Sequence, residues 1–203
     1  MIDNNENDAN PVRTSPLMKA CYQNDVEGVL QCIHHGANVN EIGILGITAL
    51  MIAARNNNTM ITEILIKEGA NIHYNISNGL PEASSALLEA AQSGAIETLK
   101  LLLKHSVDPN QVSLANGVTG LMITAKKNNV EAAAVLIEQG ANIELKTFDI
   151  FQETALCFAV KEGNYEMTKF LIENNAKIKP LRSIQRTKIP PKMVKWLKAN
   201  KWL

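Results

Sequence analysis

The chain has 203 residues, with 46% hydrophobic side chains, only 4% aromatic ones and a formal net charge of zero, a length that makes one or two ordinary domains. Its three cysteines, Cys21, Cys32 and Cys157, are odd in number and form no ligand-spaced pair, which argues against a disulfide framework or a cysteine zinc site. No apolar run approaches the roughly 18 residues that a bilayer span needs.

Residues 1–11, MIDNNENDANP, are polar, carry Asp3, Glu6 and Asp8, and end at a proline. This composition predicts disorder. It lacks the apolar centre of a signal peptide, which points to a cytoplasmic, intracellular protein; export by a signal-independent route would leave no mark. The two Asn-x-Ser/Thr sequons, at Asn57 and Asn75, are incidental on that reading.

A five-fold phrase follows. It starts at Ser15, Thr48, Ser85, Thr119 and Thr154, at spacings of 33, 37, 34 and 35 residues. Each start is a hydroxyl residue able to cap a helix by accepting an unpaired backbone N–H, and Pro16 suits the first helical position of the first. Nine residues later stand Asn24, Asn57, Gly94, Asn128 and Gly163. Gly and Asn are the residues that a left-handed helix stop accepts. A second apolar helix ends 21 residues after each start, at Gly36, Gly69, Ser106, Gly140 and Asn175. Val29, Cys32 and Ile33, then Leu99, Leu102 and Leu103, Val135, Leu136 and Ile137, and Phe170, Leu171 and Ile172 are its expected core positions. Gly28 lies inside the first of these helices and should weaken it by about 1 kcal/mol against Ala, so that the first unit frays before the centre. Cys21 and Cys32 replace Ala and Leu of other units, and are expected to be small buried residues rather than reactive ones.

These phrases, SPLMKACYQND, TALMIAARNNN, SALLEAAQSGA, TGLMITAKKNN and TALCFAVKEGN, together with the endings HGANVN, EGANIH, SVDPN, QGANIE and NAKIK, resemble the TPLHxAAxxGH and GADVN signatures of ankyrin repeats. The resemblance covers residues 12–179. It departs in two places: proline survives only at Pro16, and the family's histidine is Met18, Met51, Leu88, Met122 or Cys157. The family's Thr–His hydrogen bonding is therefore expected to be absent. The resemblance implies an all-α ankyrin-repeat solenoid of helix-turn-helix units with projecting finger loops, each unit burying its apolar face on its neighbours. The expected units are 12–44, 45–80, 81–115, 116–150 and 151–179, between a disordered acidic segment at 1–11 and a basic C-terminal capping helix region at 180–203.

The finger loops are unusually apolar. EIGILGI carries Ile42, Ile44, Leu45 and Ile47; HYNISNGLPEAS is the longest; QVSLANGV carries Val112, Leu114 and Val118; ELKTFDIFQE carries Phe148, Ile150 and Phe151. Such tips either fold back on the neighbouring finger or form a partner site rimmed by polar groups, the aromatic pair above all. The resemblance further implies that residues seven and eight after each start face a concave surface. These are Tyr22/Gln23, Arg55/Asn56, Gln92/Ser93, Lys126/Lys127 and Lys161/Glu162. That stripe is mildly basic and suits an acidic or mixed protein surface. The candidate partner-binding residues are Tyr22, Ile44, Leu45, Arg55, Leu114, Lys126, Phe148, Ile150, Phe151 and Lys161.

From Lys177 onward there are nine Lys or Arg and no Asp or Glu, so this end carries +9 and residues 1–176 carry −9. Both tryptophans lie here. PPKMVKWLKANKWL reads as an amphipathic helix with Met193, Val194, Trp196, Leu197 and Leu203 on one side. Three readings stand open: a terminal cap, a basic helix for an anionic membrane, a groove or nucleic acid, and a degenerate C-terminal box of ankyrin proteins that recruit ubiquitin ligases.

No catalytic constellation, Gly-rich phosphate loop or metal-ligand helix is present in the sequence. His34 and His35 diverge by about 100° on a helix and suit contact with its C-terminus. The expectation is a non-enzymatic protein–protein interaction module, a scaffold, adaptor or steric inhibitor, without cofactor and favouring a monomer. The partner is another protein; neither nucleic acid nor membrane is expected. The alternative is a peripheral anionic-membrane or nucleic-acid-associated protein that uses the basic tail.

Overall fold

The computed structural model describes residues 15–76, 85–178 and 189–202. The expectations for residues 1–11, for Leu203 and for much of the second finger lie outside these. The described residues form helix pairs α1 (Pro16–Tyr22) and α2 (Val26–His34), α3 (Ala49–Arg55) and α4 (Thr59–Lys67), α5 (Ala86–Ser93) and α6 (Ile96–Lys104), α7 (Gly120–Lys127) and α8 (Val130–Glu138), α9 (Ala155–Glu162) and α10 (Tyr165–Glu173), followed by α11 (Pro191–Ala199). The odd-numbered helices α1–α9 stack into an inner layer, and α2, α4, α6, α8 and α10 into an outer one.

The boundaries of these helices follow from local chemistry. Ser15, Thr48, Ser85 and Thr119 cap the inner helices, each hydroxyl accepting from the N–H three residues on. Thr154 instead lies 3.5 Å from the Cys157 Sγ. Asp25, Asn58 and Asn129 cap outer helices in the same way. Asn24, Asn57 and Asn128 adopt φ of 55°, 54° and 58°, and Ser106 and Asn175 adopt 64° and 69°. Glycines hold the other stops, so the left-handed conformation recurs at both helix ends of every unit.

Small side chains set the spacing of the inner layer. Ala53, Ala54, Ala90, Ala91, Ala125 and Ala159 are fully buried, so neighbouring backbones approach closely. Outer helices lock on through Val29, Leu65, Leu102, Leu136 and Leu171, all inaccessible to solvent; each such side chain contributes about 1.5–3 kcal/mol by leaving water.

Gly28 has a reason that composition alone hides. A Cβ there would overlap the Asp25 carboxylate that caps α2. The glycine therefore accommodates the cap, and the helix weakness expected of it is offset locally.

A ladder joins successive units behind the fingers. Asn40 donates to the Gly69 carbonyl at 2.9 Å and accepts from the Asn71 N–H at 2.7 Å. Asn110 repeats this with Gly140 and Asn142. Glu144 accepts from the Lys177 N–H at 2.8 Å. The matching position of the second unit is His73, whose side chain makes no such bond.

At the far end, Ile189, Met193 and Leu197 of the α11 segment join the core. Trp196 meets Tyr165 of α10 edge-on at 5.2 Å and Trp202 at 5.1 Å. The apolar face of α11 is thus spent on the fifth pair. No described helix is long and apolar enough to cross a membrane.

Candidate interaction groove

The inner helices and the third and fourth fingers enclose a concave groove of about 680 Å³. Arg55, Glu89, Gln92, Met122, Ile123, Lys126 and Phe158 line its helical side; Ser113, Asn116, Val118, Thr147 and Asp149 line its finger side.

The expected basic stripe is largely neutralised. Arg55 Nε and Nη2 donate to Glu89 Oε2 and Oε1 at 2.8 and 2.9 Å, a bidentate bridge between units. The Glu89 side chain is 4% exposed, and that of Arg55 44%. Lys161 Nζ lies 2.8 Å from both Glu153 carboxylate oxygens. Of the three cations expected to meet a partner, Lys126 alone stays exposed in the groove without an acid among the described residues. Tyr22 is exposed away from this pocket, and Asn56 turns back to donate to the Cys21 carbonyl. The positions four and seven after each start, not seven and eight alone, form the floor: Glu89, Ile123 and Phe158 join Arg55, Gln92 and Lys126.

The finger tips behave as a mixture of the two expectations. Phe148 lies against Gly117, where a Cβ would come within 2.5 Å of Phe148 Cδ1, and its N–H donates to the Asn116 carbonyl at 2.9 Å. Even so, the residue is 66% exposed. Gly117 has φ of +73°, so both conformation and space favour glycine there. Ile76 repeats the arrangement on Gly46 and is buried. Ile150 is 90% exposed, and Ile42, Ile44, Leu45, Leu114 and Phe151 are also exposed. Asp149 organises the tip of the fourth finger, its Oδ1 accepting from the Thr147 hydroxyl and from the N–H groups of Phe151 and Gln152.

Glu89, Ser113 and Phe158 were not among the sequence candidates. Glu89 occupies a position filled by Lys19, Ile52, Ile123 and Phe158 in the other units, so its acid stood out only against the three apolar ones. Ser113, buried at the base of the third finger, has a hydroxyl without a hydrogen-bond partner among the described residues, and no sequence signal marked it.

Cys21 and Cys157 are buried, whereas Cys32, expected to be buried too, is half-buried. Burial, with the Cys32 thiol nearby, pushes the Cys21 thiol up to about 12. Burial also raises Cys157, against the opposing hydrogen bond of Thr154. Among the described residues no group of three or more His, Cys, Asp or Glu could hold a metal ion. His35 Nδ1 lies 2.7 Å from the Gln31 carbonyl at the end of α2.

A family model, ankyrin repeats (3 copies), matches residues 1–78, 17–113 and 87–181. The chain belongs to the ankyrin repeat family. Ankyrin repeats are generally protein–protein interaction modules and generally non-enzymatic. Similar ankyrin proteins include an ankyrin repeat and KH domain-containing protein, mask-1, of Caenorhabditis elegans, 28% identical over 81% of this chain and 7% of that protein. The nuclear factor NF-kappa-B p105 subunit of Gallus gallus is 30% identical over 69% of this chain and 14% of that protein. The putative ankyrin repeat protein FPV031 of Fowlpox virus is 26% identical over 81% of this chain and 46% of that protein. The chain thus spans less than half the length of each of these relatives.

Proposed function

We propose that this ankyrin array binds a protein partner across the groove and the tips of its third and fourth fingers, acting as a scaffold, adaptor or steric inhibitor. The observation that carries the reading is the exposed row Leu114, Phe148, Ile150 and Phe151 on the same fingers that wall the groove. Large apolar side chains beside a polar-rimmed cleft supply the buried anchors from which interfaces draw most of their energy. Ile44 and Leu45 are further exposed apolar residues on the first finger, and Lys126 offers a charge that sets register. Arg55 and Lys161 serve the reading indirectly, by holding Glu89 and Glu153 in place.

The test compares proteins captured from a cell extract by the intact chain and by a Phe148→Asp/Phe151→Asp variant, with circular dichroism confirming that both fold. A partner that binds the intact chain alone supports the finger-tip site. Equal capture removes these fingers from it.

A further inference from the structure

The outer face of α11 carries a second feature, separate from the groove. Lys192, Lys195 and Lys198 stand exposed on the helix, with Lys201 in the turn that follows. At about 1.5 Å rise per residue the three helical lysines are spaced about 4.5 Å along the axis. Arg55, Lys67, Lys100, Lys161 and Lys169 each pair with a glutamate, and Lys104, Lys126 and Lys127 are exposed without an ion pair among the described residues; what sets α11 apart is four such lysines within ten residues. None of the four α11 lysines has an ion-pair partner among the described residues, and no acid exists in the sequence from Lys177 onward to provide one.

We infer that the exposed lysine ridge of α11 docks an acidic protein segment, a run of Asp or Glu on a partner. An extended strand advances about 3.3 Å per residue, so successive carboxylates fall within reach of flexible four-carbon lysine stems. Three features select this occupant over other anions. Bilayer insertion needs an apolar face, and Met193 and Leu197 are fully buried in the protein core. Single-stranded nucleic acid uses free aromatic faces for stacking, whereas Trp196 is half-buried between Tyr165 and Trp202. A long duplex would run beyond the ridge and meet a remainder, residues 1–176, that carries −9; a short acidic segment matches the ridge and ends with it.

The probe is a fluorescently labelled five-residue glutamate peptide, which spans about the length of the ridge, followed by anisotropy at 50 and 150 mM salt. It is offered to the intact chain, to the variant Lys192→Gln/Lys195→Gln/Lys198→Gln/Lys201→Gln, and to Lys67→Gln/Lys100→Gln/Lys104→Gln/Lys169→Gln, which makes the same change in net charge at other exposed lysines. Both tryptophans of the chain lie at this end, so unchanged tryptophan emission verifies its fold in each variant. The expected result is binding to the intact chain and the second variant alike, and affinity about tenfold or more lower for the first, from four exposed ion pairs of modest strength each. Absent binding, equal loss in both variants, or tighter binding of a labelled 20-base-pair duplex or of anionic phosphatidylserine vesicles than of the peptide, overturns the inference. Neither variant touches the fingers, so the result is independent of the groove experiment.

Discussion

Arg55→Met breaks the bridge between the second and third units. The substitution keeps the aliphatic stem and removes the fork that satisfies both oxygens of Glu89. A buried charge stripped of its partner costs about 3–5 kcal/mol. Because Arg55 is 44% exposed on its side chain, water entering from the groove offsets part of this, and a loss of about 2–3 kcal/mol is expected. Glu89→Leu leaves a cation that can turn to solvent, at a cost of about 1 kcal/mol or less, and the double variant Arg55→Met/Glu89→Leu should regain most of the stability, since replacing both charges of a buried pair by apolar groups is often neutral. Urea denaturation followed by circular dichroism measures this; 2–3 kcal/mol moves the midpoint by about 1 M when the slope is unchanged. A repeat array can lose all-or-none behaviour, so the slopes of all four proteins must agree before the energies are compared. An Arg55→Met variant within 0.5 kcal/mol of the parent, a difference typical of ordinary surface changes, would falsify the assignment of Glu89 as a carboxylate that depends on this bridge.

Other substitutions probe other parts of the reasoning. Gly28→Ala should leave stability within about 0.5 kcal/mol of the parent, because the helix propensity gained is offset by displacement of the Asp25 cap; a gain of 1 kcal/mol in urea denaturation would show that the cap contributes nothing. Ser113→Ala should be neutral or stabilising by up to about 1 kcal/mol, since it removes a buried hydroxyl that has no partner, and thermal unfolding will detect a contrary sign. Asn110→Ala removes both rungs to Gly140 and Asn142 and is expected to cost about 1–2 kcal/mol, with faster amide exchange at Asn142. Alkaline pH addresses Cys21. The unfolded chain ionises this thiol near 9.0 and the folded chain near 12, so the folded state keeps its proton longer; the stability from this group is whole below pH 9 and falls between 9 and 12. Cys21→Ala should flatten that part of the pH–stability curve, and an unchanged curve contradicts the burial argument.

The sequence made the repeating parts legible because each is local. A hydroxyl caps a helix three residues away, and Asn or Gly stops it where φ turns positive, so Thr48 and Asn57 announce their roles without reference to the rest of the chain. The groove was less legible because its contacts join units. Arg55 meets Glu89 across 34 residues, and no single unit contains that pair. The stripe of cations was visible, but not that Glu89 and Glu153 would cancel two of them. Phe148 was conspicuous as an aromatic loop residue, yet its rest on Gly117 depends on how far one finger leans over the next. Gly28 was half legible: the propensity value could be read from its helix, but the Asp25 carboxylate that a Cβ would meet there could not.

The incomplete ladder gives the array an uneven mechanical character. Asn40, Asn110 and Glu144 each tie one unit to the next behind the fingers, while His73 leaves the junction between the second and third pairs without that tie. The same junction is clasped on the opposite side by Arg55 and Glu89, and by the Thr98 N–H donating to Asn57 Oδ1 at 3.1 Å. A different bond takes the place of the missing tie, with Asn75 Nδ2 of the second finger donating to the Val112 carbonyl of the third at 2.7 Å. Changes that cut the asparagine rungs at Asn40 or Asn110 therefore leave the seam between the second and third pairs intact, because it is fastened by other groups.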